Sequence, residues 1–251
     1  MVRALVDSAG EASRAPWLAR RVEGEGAGRR FKTNEKYVPI ADAALRDEIG
    51  GAVRQFGAGC AERPAHLPEW PQVIDVATRI AGTGSLGRFR WAVLVQGKSD
   101  KPGKEHILEL KEALPSSLAP ADAPASAASR VIDTQRRLQG APPAYLGTTG
   151  VRGRAFTVRE LQPAEAKIDT SALKGPDLDA LAGAVGTVLG RMHRRVGAEL
   201  PARVAGRERA LGRRIAAFAL RYAAEVDEDW TRLCAERAAV QATLGNADGG
   251  G

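Results

Sequence analysis

Residues 82–87 read Gly-Thr-Gly-Ser-Leu-Gly, a Gly-x-Gly-x-x-Gly run. Glycines at this spacing let backbone amides approach phosphate oxygens with no Cβ in the way. The residues beyond the third glycine decide the chemistry. A dinucleotide-binding turn needs a helix there, so that its N-terminus meets a pyrophosphate. Here residues 88–96 (RFRWAVLVQ) come next instead. Phe89, Trp91, Val93 and Val95 alternate as they do in a strand. A second pattern, Ala92-x-x-x-x-Gly97-Lys98-Ser99, fits a permissive P-loop. It lacks the helix that must come after Lys-Ser, because Asp-Lys-Pro-Gly stands there.

A glycine loop between two antiparallel strands is the kind that protein kinases fold over ATP phosphates. It requires a lysine on the next strand to neutralise phosphate charge. Lys111, within HILELKE (106–112), fits that place. The plainer alternative is a glycine-rich β-turn with a solvent-facing lysine.

These residues must be positioned by the elements around them. Residues 73–80, 88–96 and 106–112 read as three strands of an antiparallel meander. A helix is expected over 126–139, with Gly140 where a C-cap belongs. Strands over 144–148 and 154–161 come after it, and Pro163 ends the second. Upstream, 1–22 reads as a helix or helical tail, 30–40 as a hairpin turning at Thr33-Asn34-Glu35, and 41–56 as a helix. Downstream, helices are expected over 176–195, 205–224 and 227–243. Pro176 stands at a first helical position. Ile215, Phe218, Ala219 and Tyr222 form an apolar stripe, and Trp230 is expected against the core. Segment 115–128 is rich in Pro, Ala and Ser and reads as mobile, and the NADGGG tail as disordered.

Composition narrows the class. The chain has 251 residues, 44% hydrophobic and 27% charged, with 28 Gly and 14 Pro. That apolar content excludes disorder throughout, and the absence of a glycine period excludes collagen. Cys60 and Cys234 form no CxxC pair, and His66, His106 and His193 are too scattered for a metal signature. No run approaches a membrane span, and the N-terminus lacks the apolar core of a signal peptide, so a cytoplasmic protein is expected. The net charge is +7, and residues 191–221 hold nine Arg against two Glu. A basic stretch of this kind suits nucleic acid or an acidic partner. No aromatic interleaving accompanies it, and a solvated arginine-rich helical face is the plainer reading.

The stretch from Val73 to about Asp229 resembles the bacterial domain-of-unknown-function family 2252. The likeness is carried by DVATRIAGTGSLGRFRWAVLVQGK (75–98), LELKEA (108–113), SRVIDTQRRLQ (129–139), AFTVRELQP (155–163), LGRMHRR (189–195) and RYAAEVDEDW (221–230). The first 72 residues resemble it less distinctly. That family looks kinase-like, similar to aminoglycoside phosphotransferases with a changed segment order. The resemblance implies that Gly82, Gly84, Ser85 and Gly87 cover the phosphates of ATP and that Lys111 contacts them. It implies that an acid on the 126–139 helix orients the lysine. Asp133 is the candidate, although Gln135 is better placed to point inward. Arg159-Glu160-Leu161-Gln162 would end the fifth strand as a kinase hinge does, where backbone groups meet adenine. His193 would close its helix as in such phosphotransferases. Each has an ordinary alternative: a helix-dipole contact for His193, an ion pair with arginine for Glu160, an exposed helical acid for Asp133.

The departure from the family weighs as much as the match. The family's GDxHxxN catalytic loop and its second acidic motif lie in an N-terminal half, and the 251 residues contain neither. Phosphoryl transfer of this type needs a carboxylate near the acceptor and Asp/Asn ligands for magnesium. The expectation is therefore an α+β, protein-kinase-like two-lobed fragment. An N-terminal segment (1–72) leads into a five-stranded antiparallel nucleotide-binding lobe (73–165) and a helical lobe (166–251). It binds ATP, does not hold magnesium, and does not transfer phosphate unless a protein partner supplies the missing segment. The alternative is a non-enzymatic interaction protein that uses the basic helices.

Overall fold

The computed structural model describes residues 13–59, 72–97, 99, 101–118, 126–143, 145–163 and 168–237. The chain opens with α1 (Arg14–Ala19) and a two-stranded ribbon of β1 (Val22–Glu23) and β2 (Arg30–Phe31). Next come β3 (Tyr37–Pro39), α2 (Ala43–Gly59), β4 (Val73–Arg79), β5 (Arg90–Val95) and β6 (His106–Glu112). Then α3 (Ala127–Leu138), β7 (Gly147–Val151) and β8 (Arg154–Leu161) lead to α4 (Pro176–Val196), α5 (Leu200–Val204) and α6 (Glu208–Ala235). The class is α+β.

The main sheet is antiparallel and runs β3-β4-β5-β6-β8-β7. It has six strands where five were expected. The extra one comes from the expected 30–40 hairpin, whose two arms go to different sheets. Phe31 pairs with Val22, and Tyr37 pairs with Arg79. Asn34 makes the turn between them, its Oδ1 accepting the amides of Lys36 and Tyr37.

Side-chain alternation gives the sheet two buried faces. On one face Trp91, Val93, Leu108, Leu110, Phe156 and Val158 pack against Ile49, Val53 and Phe56 of α2. On the other, Ala92, Leu94, Ile107 and Leu161 are covered by Trp17, Leu18, Val22, Phe31 and Tyr37. Cover on both sides explains why β5 is a near-continuous apolar run. Each fully buried aliphatic side chain contributes about 1.5–3 kcal/mol of transfer free energy.

Helix α3 begins where Ser126 Oγ accepts the Ser129 amide at 3.1 Å, an N-cap worth about 1 kcal/mol. It buries Ala128 and Ile132. Strand β7 lies three residues beyond the expected 144–148. Tyr145 and Leu146 instead bury themselves ahead of it. The β7–β8 turn falls on Arg152 (φ 49°) and Gly153 (φ 72°), the left-handed pair that tight hairpins require. The Arg152 guanidinium pins this turn to α2 through Glu48 and Asp42.

The two helices expected over 205–224 and 227–243 are one helix, α6, preceded by the short α5. No Gly or Pro interrupts residues 213–235, so nothing ends the helix near 225. Trp230 is exposed rather than set against a core. The chain divides into two compact units, Met1–Val196 and Gly197–Gly251. The expected boundaries at 72 and 165 both fall inside the first unit. β3 joins the sheet from the N-terminal segment, and α4 packs on α3. The helix expected ahead of Ser13, residues 119–125 of the segment expected to be mobile, and the NADGGG tail lie outside the described residues. Among the described residues no helix is long and apolar enough to cross a membrane.

Candidate functional site

The glycine loop joins β4 to β5, and the chain beyond Gly87 is extended, not helical. The loop is a short 3-10 turn closed by its own backbone. The Ser85 amide donates to Gly82 O, Leu86 to Thr83 O and Arg88 to Ser85 O, at 3.1, 3.1 and 3.2 Å. The amides of Gly84 and Gly87 take no part in that set. Gly82 (φ 72°) and Gly87 (φ 70°) hold left-handed backbone, which a side chain would strain. A Cβ on Gly84 or Gly87 would meet no atom within 4 Å, so open space lies beside both.

Arg90 ties the loop to the sheet. Its Nη1 donates to Ala81 O and, at 3.4 Å, to Ser85 Oγ. Its Nε donates to Glu109 Oε1 at 2.7 Å. Lys111 lies directly across from Arg90 in the β5–β6 register, and Thr157 is its partner on β8. Cross-strand partners share a face. The loop therefore leans onto the sheet face that carries Lys111. The lysine is exposed, and among the described residues its ammonium makes no hydrogen bond or ion pair.

Two positions back along β6, Glu109 is 2% exposed and receives three guanidinium groups. Arg79, Arg90 and Arg159 all bond to it, Arg159 Nε at 3.0 Å. Burial, the largest single influence, pushes its carboxyl pKa up. The charges of Arg79, Arg90 and Arg159 together outweigh burial and hold it below the usual range.

The remaining expected residues do not gather here. Glu160 and Gln162 stand at the far end of β8. Glu160 is about 10 Å from Thr157 along the strand at 3.4 Å per residue. The Glu160 carboxylate is buried against His106 Nδ1 and against Arg14 Nη1 at 3.0 Å. Burial would raise its pKa, but the hydrogen bond and charge of His106, with Arg14, bring it below the usual value. Gln162 is half-buried. Between this end and Lys111 the sheet face is filled by the α1–β2 segment. Asp133 is exposed, 3.8 Å from Arg136 on its own helix. It lines a cavity of about 560 Å³ with Gln55, Phe56 and β7. That cavity opens on the α2 face of the sheet, opposite the face of Lys111, so the two do not meet. His193 is exposed in the last turn of α4.

Sequence reading passed over Arg79, Arg90 and Glu109, and took Arg159 only as the start of the hinge segment 159–162. The signal was present: Glu109 is a carboxylate inside the apolar run HILEL, and a charge in such a position must find a partner. Among the described residues no group of three His, Cys, Asp or Glu side chains is placed to hold a metal ion. A family model, DUF2252, described as an uncharacterized protein conserved in bacteria, matches residues 1–236. The match takes in the first 72 residues, which the motifs alone had placed less firmly. No curated protein and no solved structure matches the chain.

Proposed function

The chain belongs to the DUF2252 family of bacterial proteins, and from that membership and the site's geometry we propose that it is a kinase-like binder of ATP phosphates. The 82–87 loop and Lys111 hold the phosphate chain. The observation that carries this reading is the unengaged Lys111 ammonium on the face toward which Arg90 draws the loop. The amides of Gly84 and Gly87 and the ammonium supply donors and positive charge to one anion.

The order of elements supports the same reading. A strand, a glycine loop and a second strand precede the lysine strand, then a helix and two strands. The last of these, β8, returns beside the lysine strand. The hinge end contributes less. Trp17, Phe31 and their neighbours occupy the face on which a base would rest. Recognition therefore rests on phosphate more than on adenine. Among the described residues no carboxylate pairs with Lys111, and the sequence holds no GDxHxxN, so these residues alone do not transfer the phosphoryl group. A segment that carries that motif would have to be supplied from outside these 251 residues.

Isothermal titration checks the proposal. ATP and inorganic tripolyphosphate should bind alike, and adenosine should not bind. Lys111→Ala should abolish both interactions, and Asp133→Ala should leave them unchanged. Absence of binding at millimolar ATP, or binding that survives Lys111→Ala, overturns it. Salt-dependent retention of DNA by Lys111→Ala would instead favour the rival reading of a basic nucleic-acid surface.

A further inference from the structure

Among the described residues nothing covers one apolar face of helix α6. Leu211, Ile215, Phe218, Tyr222, Trp230 and Leu233 are each between 39 and 63% exposed. At 3.6 residues per turn they fall within an arc of about 120°, with Val226 among them. The Phe218 and Tyr222 rings stack on one another at 5.7 Å. A helix of 28 residues runs about 42 Å. A continuous apolar strip along most of that length is larger than a soluble monomer ordinarily shows to water.

The charges beside the strip say what covers it. Arg214, Arg221, Glu225 and Glu228 lie along one edge, within an arc of about 60°. Among the described residues none of the four forms an ion pair. The basic pair precedes Tyr222 and the acidic pair comes after it. We propose that α6 pairs antiparallel with α6 of a second copy of this chain, with Tyr222 near the twofold axis. Leu211 then packs against the second copy's Leu233, and Phe218 against its Val226. On the edge, Arg221 meets the second copy's Glu225, and Arg214 meets its Glu228. The arrangement is self-complementary, as a twofold contact must be. A parallel pairing sets this edge against the opposite one, which carries Ala216, Ala223 and Asp227, and does not bring the basic pair onto the acidic pair. A nucleic-acid partner would be attracted by one half of the helix and repelled by the other.

The whole chain tests this in sedimentation equilibrium. Dimer should form in a concentration-dependent way. The double variant Arg214→Glu/Arg221→Glu should weaken it about tenfold, as should Glu225→Arg/Glu228→Arg. An equimolar mixture of the two variants should recover the wild-type affinity as a heterodimer. Circular dichroism of each variant shows that the fold is kept, since all four side chains are exposed. In a Cys60→Ser/Cys234→Ser background, a short bis-maleimide should link Tyr222→Cys to itself. It should link Leu211→Cys only to Leu233→Cys of a mixed partner. A chain that stays monomeric to its solubility limit overturns the proposal. So does a dimer indifferent to the charge variants, or one in which Leu211→Cys links to itself.

Discussion

Glu109 is where three long side chains from β4, β5 and β8 meet one carboxylate buried on a sheet face. Removing the acid would leave three partly buried cations without their shared counter-charge, and a broken buried pair costs about 3 kcal/mol. Glu109→Gln should lower unfolding free energy by about that amount at pH 7, measured by urea titration. The pH dependence has a defined sign. The folded pKa is depressed below 4.5, so the stabilisation is present above the unfolded value and fades as pH falls through the folded one. The wild-type and variant curves should therefore converge in acid, below the ordinary carboxylate range. A gap that stays unchanged through the whole acid limb of the titration would refute the electrostatic account. Among the described residues Lys111, on the same face, has no such partner, which is why a phosphate is proposed for the one and a structural role for the other.

Among the elements, the glycine loop and the α2–β7 contact make opposite kinds of demand. In the loop the constraint is on backbone angle. Gly87→Val forces a β-branched residue to φ near 70° in an exposed turn. Phosphate binding should be lost in titration while the melting temperature shifts little. Where α2 crosses β7 the constraint is space. A Cβ on Gly147 would sit 2.5 Å from Phe56 Cε2. Gly147→Ala must push α2 away from the sheet, and overpacking of this kind costs about 1–3 kcal/mol. Its melting temperature should drop while phosphate binding is retained. If both variants changed both readouts, the loop would not be separable from the core. Sequence pattern located β6 and β8 to the residue, because both combine clear alternation with a firm stop. It misplaced β7 by three residues and divided α6, since turn position and helix length there depend on what the neighbouring residues pack against.

For the whole molecule, the sheet, its α2 cover and its N-terminal cover all fall within Met1–Val196. A chain cut after Val196 should fold, keep its strand content by circular dichroism and bind tripolyphosphate as the full chain does. Failure to fold would show that α5 and α6 contribute to the core. Trp17→Ala, which uncovers one sheet face, should cost about 3 kcal/mol or more in the same assay. The sequence by itself determined the α+β class, the central strands, the extended chain after Gly87 and the absence of a helix there. All of these come from side-chain periodicity over a few consecutive residues. Only the tertiary structure decided that Tyr37–Pro39 edges the sheet and that three arginines converge on Glu109. The same is true of the filled hinge end of the Lys111 face and of Asp133 lying on the other face. Those outcomes join residues dozens of positions apart, and local alternation carries no record of which distant segment will cover which face.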